Sequence, residues 1–142
     1  SARAIIPTII TQALALDSIK LGNLNTTRDF TYVSDTVNGF LCAAQSKSWS
    51  GQVYNLGTGS EITIGKLAEI IIRLIVRNVS VQVDDRRLRP PKSEVMRLLS
   101  DNSRAKAELG WQPTVSLEEG LQQTIDWIKE HLDQFRVGRY EF

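Results

Sequence analysis

Between Thr63 and Val83 the hydrophobic period of the chain changes. Ile64, Leu67, Ala68, Ile71, Ile72 and Ile75 recur at helical spacing, an unbroken apolar stripe behind a Thr63 cap. Val79, Val81 and Val83 then alternate with polar residues, which is the period of a strand with one buried face. A chain that switches from one repeat to the other in so short a stretch builds helix against sheet. The same alternation runs along the rest of it. Ile6, Ile9, Ile10, Ala13 and Leu14 predict a helix over residues 5–16, with Pro7 in its first turn. Ile19-Lys20-Leu21 reads as a short strand closed by Gly22-Asn23, and Arg28–Val33 as a second strand. Ser34 or Asp35 caps a second helix that carries Val37, Phe40, Leu41 and Ala44 on one face. Gln52–Leu56 reads as a third strand, running into Gly57-Thr58-Gly59-Ser60, and Val79–Val83 as a fourth. After an irregular stretch over residues 84–99, Asp101 or Asn102 opens a short helix that stops at Gly110. Ser116-Leu117-Glu118-Glu119 is a capping box for the last helix, whose apolar face is Leu117, Leu121, Ile125, Ile128, Leu132 and Phe135. The expectation is an α/β chain of about five helices with four short strands.

Composition narrows what such a chain can do. Its 142 residues suit one domain, residues 1–142, and can bury a core without covalent staples. The single cysteine, Cys42, excludes an internal disulfide, and the single histidine, His131, excludes a His-pair metal site. Cys42 reads as a small buried hydrophobe and His131 as a residue near the surface. No apolar run approaches the roughly 20 residues a membrane span needs. A net charge of +1 argues against nucleic acid as a partner, and no secretory signal is visible, so the expected compartment is the cytoplasm. The chain opens on Ser1 and its only methionine is Met96, which reads as a processing remnant or as a piece of something longer.

Two features could carry phosphate chemistry. Gly57-Thr58-Gly59 lies between a strand and a helix, the setting of a dinucleotide-binding turn. The pattern then fails, because the third glycine would fall at Ile62 and Gly65 comes too late. Gly59 to Gly65-Lys66 is one residue too long for a P-loop, and Leu67 stands where Ser or Thr is required. The favoured reading is a tight turn in which glycine relieves backbone strain. The second feature is arginine. Arg86, Arg87, Arg89 and Arg97 crowd one segment with Lys92, and Arg28 heads a strand. A guanidinium fork matches two phosphate oxygens at once, but Asp84, Asp85 and Glu94 offset the cluster, which composition alone reads as solvated surface. The carboxylate pairs Asp84/Asp85 and Glu118/Glu119 and the absence of a G-x-S-x-G elbow give no nucleophile or acid–base site.

Four segments, in order, carry a resemblance. They are Ile6-Pro7-Thr8-Ile9-Ile10-Thr11-Gln12-Ala13-Leu14; Gly22 with Thr27-Arg28-Asp29-Phe30-Thr31-Tyr32-Val33-Ser34-Asp35; and Val53-Tyr54-Asn55-Leu56-Gly57-Thr58-Gly59. The fourth is Arg89-Pro90 with Ser93-Glu94-Val95, then Asp101-Asn102-Ser103 and Leu109-Gly110-Trp111-Gln112-Pro113. Together they resemble the C-terminal, substrate-binding half of NAD-dependent epimerase/dehydratases, the extended short-chain dehydrogenase/reductases that act on nucleotide sugars. The Arg-Pro…Ser-Glu-Val and Asp-Asn-Ser pattern looks most like 4,6-dehydratases, with the UDP-N-acetylglucosamine dehydratases of nonulosonic acid pathways the most similar group. The resemblance implies a Rossmann-type fold lacking its N-terminal half, where NAD and a catalytic Tyr-x-x-x-Lys reside. Tyr32 and Tyr54 are followed four residues on by Thr36 and Thr58, and Tyr140 has no residue there, so none supplies that motif.

The resemblance also implies roles. Arg28 and Arg89 would bind the pyrophosphate of a UDP-type nucleotide sugar. Leu21 and Gly22 would contact the base or ribose through backbone groups. Asn55 would lie near the phosphates, and Glu94 would bond sugar hydroxyls. No residue of this chain is expected to be catalytic, to bind NAD or to hold a metal. Arg86 and Arg87 are left as solvated surface. A second reading is a truncated module that binds without catalysis and self-associates through Phe30, Tyr54, Leu56 and the second helix, as a homo-oligomer.

Overall fold

A computed structural model describes residues 4–46, 51–88, 90 and 92–138 of the chain. In chain order the elements are α1 (Ile5–Ala15), β1 (Ser18–Leu21), β2 (Thr27–Arg28), α2 (Val33–Gln45), β3 (Ile62–Thr63), α3 (Ile64–Ile75), β4 (Ser80–Val83), β5 (Arg97–Leu98), α4 (Ser103–Leu109) and α5 (Leu117–Glu130). Two 3-10 turns, Asp85–Arg87 and Leu132–Gln134, complete the set. The architecture is α/β, as the alternating periods require. The chain forms two compact units. Unit 1 comprises Ser1–Thr26, Thr63–Met96 and Leu121–Phe142, and unit 2 comprises Thr27–Ile62 and Arg97–Gly120.

Unit 1 holds together by apolar packing. β1 and β4 pair in parallel from Ser18↔Ser80 to Leu21↔Val83. Ile9, Ile10 and Ala13 of α1, Ile19 and Leu21 of β1, Leu67, Ala68 and Ile71 of α3, and Ile125 and Ile128 of α5 are all buried. Each large side chain so buried is worth about 1.5–3 kcal/mol relative to exposure. One polar residue enters this core with all its needs met. The buried Gln12 amide donates to the Thr8 and Lys20 carbonyls at 3.1 and 3.3 Å, and its oxygen accepts the Lys20 amide at 3.0 Å. Gln12 thereby covers the free edge of β1 at Lys20. Thr63 caps α3 by accepting the Lys66 amide at 3.2 Å. The helix leaves through Val76, in the left-handed region at φ 58°. That turn carries the chain to Arg77, whose guanidinium donates to the Ala13 and Leu14 carbonyls at 2.9 and 2.6 Å and so satisfies the end of α1.

Unit 2 has shorter strands. β2 and β5 pair in parallel over two residues, and the Asp29 amide adds one bond to the Leu98 carbonyl at 3.0 Å. α2 lies with Asp35 and Gly39 buried, and the Leu56 side chain occupies the space that a Cβ on Gly39 would need. Trp111 is buried, its indole N–H donating to the Asp35 carbonyl at 2.9 Å. α4 ends on Gly110, as its sequence requires. The capping box is formed: the Ser116 hydroxyl and amide both reach Glu119 Oε2, at 2.5 and 3.0 Å, and the Glu119 amide donates back to the hydroxyl at 3.3 Å.

Several expectations need correction. The second strand is only Thr27–Arg28, because Asp29 turns away to clamp a loop. Tyr32, not Ser34 or Asp35, is the residue before the first turn of α2, and Asp35 reaches instead to residues 114 and 115. No strand forms at Gln52–Leu56. That segment is tied by side chains: Tyr54 Oη donates to Glu108 at 2.8 Å, Arg104 lies over the Tyr54 ring, and Arg104 donates to Gln52. Ile62–Thr63 and Arg97–Leu98, too short to show a period, form strands that the sequence does not announce. Cys42 is half-buried rather than buried. α5 stops at Glu130, so Leu132 falls in a 3-10 turn and Phe135 just after it, outside the helix expected to carry them.

Candidate functional site

In unit 2 the residue that organises the loop is Asp29. Its carboxylate accepts the Thr58 amide at 2.9 Å, the Thr58 hydroxyl at 2.5 Å, the Gly59 amide at 2.9 Å and the Ser100 amide at 3.3 Å. Consecutive amides in a glycine turn make a concavity that suits an anion. Here the anion is the protein's own. Gly59 takes φ +72°, a conformation that any side chain would strain. The turn is therefore the tight structural turn that its spacing suggests. It does not fit the phosphate of a dinucleotide, since its amides are already spent on Asp29.

Asp29 also fixes the strand on which Arg28 sits. Arg28 is half-buried and its Nη1 donates to the Thr27 carbonyl at 2.7 Å. The Thr27 hydroxyl donates to Glu61 at 2.6 Å, and Arg97 Nε donates to both Glu61 oxygens at 2.8 and 3.0 Å. The Thr27 hydroxyl first, and Arg97 after it, hold the Glu61 carboxyl below its ordinary pKa. Arg97 thus has an internal partner. Asn55 is exposed, and its amide donates to the Asp101 carbonyl at 3.4 Å. An open pocket of about 330 Å³ in the same unit is lined by Phe30, Ile62, Pro113 and Leu117, with Thr58 and Ser116 among its polar groups; it includes neither Arg28 nor Asn55.

In unit 1 the predicted residues Leu21 and Gly22 close β1. The Leu21 carbonyl accepts the Asp84 amide at 2.8 Å. Asp84 Oδ1 accepts Arg86 Nε at 3.1 Å, its Oδ2 accepts Arg86 Nη2 at 3.0 Å, and Arg87 Nε lies 3.6 Å from Oδ2. The Arg86 hydrogen bonds lower the Asp84 pKa. The two arginines differ. The Arg86 side chain is 78% exposed, whereas that of Arg87 is 9% exposed, so the expectation of a solvated Arg87 is overturned. Its turn folds back on β1 and takes the side chain with it. Glu94 is half-buried. Arg89 lies outside the described residues.

Sequence reasoning missed Asp29, Asp35 and Glu61. Each is a carboxylate whose partners lie far along the chain, so no local spacing marks it; the one available signal was Asp29 directly beside Arg28 on an alternating strand. Asp35 accepts the Thr114 amide at 3.1 Å, the Thr114 hydroxyl at 2.8 Å and the Val115 amide at 3.0 Å. Burial works to raise its pKa, but the Val115 and Thr114 donors outweigh burial and leave it lowered. Among the described residues no group of three His, Cys, Asp or Glu could hold a metal ion, and no helix is long and apolar enough to cross a membrane.

Comparison with known proteins adds the family. The UDP-glucuronic acid decarboxylase 1 of Danio rerio is 34% identical over 137 residues, covering 96% of this chain and 31% of that protein. The solved epimerase Mth375 of Methanothermobacter thermautotrophicus superposes with a TM-score of 0.84 at 30% identity, over 96% of this chain and 40% of that one. The UDP-glucuronic acid 4-epimerase of Bacillus cereus, solved with UDP-glucuronic acid and NAD, matches with a TM-score of 0.82 at 26% identity, over 92% of this chain and 41% of that one. The chain spans about a third of the length of the curated relatives it matches. The family model described as GDP-mannose 4,6 dehydratase matches residues 1–124. The chain belongs to this family, within the NAD-dependent epimerase/dehydratases of the short-chain dehydrogenase/reductase superfamily.

Proposed function

We propose that this chain is the nucleotide-sugar-binding part of an NAD-dependent 4,6-dehydratase or epimerase, with Arg28 gripping the pyrophosphate and Leu21 and Gly22 meeting the base. The observation that carries the reading is the Arg28-Asp29 pair. Asp29 accepts four hydrogen bonds that immobilise β2, so Arg28 starts from a fixed backbone, and less entropy is lost when its guanidinium takes a diphosphate. Arg89, Asn55 and Glu94 complete the proposed set. A 4,6-dehydratase specific for a UDP-amino sugar is the finer form of the proposal, supported by the Ser93-Glu94-Val95 and Asp101-Asn102-Ser103 pattern.

The nicotinamide chemistry of such an enzyme needs a bound dinucleotide. The only glycine turn of this kind among the described residues is filled by Asp29, so the chain alone is proposed to bind and not to turn over. Calorimetry with UDP, dTDP and GDP tests the reading. Binding of one or more of them that falls at least tenfold in Arg28→Ala is expected, and wild-type affinity in that variant overturns the assignment. Turnover of a UDP-sugar by the chain alone overturns the inactive reading.

A specific observation favours a partner as well. The outer face of α2 is apolar and exposed: Val33 63%, Val37 51%, Phe40 68% and Leu41 54%. Its buried face carries Asp35 and Gly39 instead. A helix with its apolar stripe outward is one that something covers. We read it as the seat of a cofactor-binding half, and in the chain alone as a surface for self-association. Light scattering at tens of micromolar (an order-of-magnitude working range) tests the latter, and a strict monomer overturns it.

A further inference from the structure

The end of β1 is built more carefully than a solvent-facing strand end needs to be. Lys20 has both peptide groups on the strand's free edge satisfied by Gln12. Gly22, two residues on, lies just past the end of β1, and neither its amide nor its carbonyl forms a hydrogen bond to another described residue. What lies against Gly22 is backbone. A Cβ there would sit 2.5 Å from the Arg87 carbonyl oxygen and 3.1 Å from its carbon, so only glycine allows this approach. The Asp85–Arg87 turn is closed by the Arg87 amide to the Asp84 carbonyl at 2.9 Å and the Leu88 amide to the Asp85 carbonyl at 3.1 Å. It is anchored to β1 by the Asp84 amide on the Leu21 carbonyl. The side chains of Asp84 and Arg87 are 12% and 9% exposed, an ion pair withdrawn from water. Drawing the Arg87 charge away from water is unfavourable unless a partner such as Asp84 compensates it. Asp84 already caps the turn, its Oδ1 accepting the Arg86 amide at 3.1 Å, so the approach of Arg87 to the same carboxylate is additional to what the turn needs.

We propose that Asp84 and Arg87 are positioning residues that press the Asp85–Arg87 turn against Gly22 and hold the Gly22 amide and carbonyl in one orientation for the heterocycle of a nucleoside diphosphate. The inference rests on the proposed nucleotide-sugar function and gives it a second, base-reading half distinct from the Arg28 grip. The side chains touch no ligand; they act through the Gly22 backbone. Gly22→Ala acts on the same contact from the other side, because its methyl group must displace the Arg87 carbonyl.

The experiment separates base reading from phosphate gripping and from folding. UDP and inorganic pyrophosphate are titrated calorimetrically into the full chain and into Arg87→Ala, Arg87→Lys, Gly22→Ala and Arg28→Ala, with urea unfolding of each. Expected is a loss of about tenfold in UDP affinity for Arg87→Ala and Gly22→Ala, with pyrophosphate affinity kept and partial recovery in Arg87→Lys. Arg28→Ala is expected to lose both ligands. Wild-type UDP affinity in Arg87→Ala and Gly22→Ala overturns the proposal, and so does an equal loss of UDP and pyrophosphate that follows unfolding stability. If the unaltered chain binds neither ligand, the proposed function fails and amide exchange decides this inference. Faster exchange at Gly22 in Arg87→Ala, with Ile19 unchanged, then supports the positioning role, and unchanged exchange at Gly22 overturns it.

Discussion

The two units are held by different physics. In unit 1 four elements meet over isoleucines and leucines, and Gln12, the most deeply buried of its polar residues, is fully bonded. In unit 2 the buried apolar residues among those described are only Ala105 and Trp111. Its cohesion comes from two carboxylates. Asp29 gathers residues 58, 59 and 100, and Asp35 gathers residues 114 and 115 while its carbonyl holds Trp111. The difference teaches where each unit spends its apolar surface. Unit 1 turns it inward. Unit 2 turns the stripe of α2 outward and builds its interior from charge and hydrogen bonds. A unit made this way leaves an apolar face exposed and fixes its loops with directional bonds.

The largest expected effect lies in unit 1. Ile71, fully buried on α3, should cost about 3–4 kcal/mol when cut to alanine, as transfer and cavity contributions add. In unit 2 the corresponding loss should come from a polar change. Asp35→Ala leaves the amides of Thr114 and Val115 without their acceptor and should cost about 3 kcal/mol. Urea unfolding measures both. If Asp35→Ala costs less than about 1 kcal/mol, within the range of a surface substitution, carboxylates are not what holds unit 2 and the comparison fails.

Asp35 also gives the comparison a pH dependence. Its pKa is lowered from 3.8, so its folded value lies below its unfolded one. Such a group stabilises the fold above the unfolded value, and that contribution is lost as pH falls through the folded value. Below about pH 4 the bonds to Thr114 and Val115 should therefore weaken, and the buried Trp111 indole should report it. Exchange of that indole proton should accelerate in acid before the amides of Ile10 and Leu67 do. Asp35→Asn should remove most of the acid dependence at the indole, and a wild-type profile in that variant would assign the effect elsewhere.

What could be read in advance follows the same division. Periodicity reports apolar faces, so α1, β1, α3 and the inner face of α5 were legible; β4 forms where Val79–Val83 alternates, but Val83 is 56% exposed, so its expected buried face is not there. It reported the stripe of α2 as well, but a period does not say which way a stripe points. The buried side of that helix is marked by Asp35 and Gly39, neither of which a hydrophobic pattern selects. Gln52–Leu56 has the composition of a strand and no strand partner here, because pairing is a property of two segments. The motif singles out Arg28 but not the clamp beside it, since the partners of Asp29 lie up to 71 positions away. Arg87 was misread because a charge run gives no sign of which member turns inward.

A smaller prediction probes the regularity of unit 1. Val76 ends α3 at φ 58°, a conformation that a β-branched residue adopts only under strain, and its side chain is 87% exposed. Nothing apolar is lost by removing it. Val76→Gly should stabilise the chain by about 1 kcal/mol, since the left-handed position after a helix is where glycine fits without penalty. A loss of stability would mean that the Val76 side chain, and not the Arg77 contacts to α1, holds the turn.

The smallest effect on folding should come from the most hydrophobic exposed position. Phe40 is 68% exposed on the outer face of α2, so Phe40→Ser removes little buried area within the chain and should change unfolding free energy by no more than about 0.5 kcal/mol. Association should respond instead. Val33, Val37 and Leu41 flank Phe40 at helical spacing, and a serine at their centre breaks the continuous patch that a partner would cover. Light scattering of wild type and Phe40→Ser at matched concentration separates the two roles. Lower mass with unchanged stability identifies the face as an interface. A loss comparable to Ile71→Ala would instead make α2 part of an interior, and the contrast between an inward-packed unit and an outward-facing one would have to be given up.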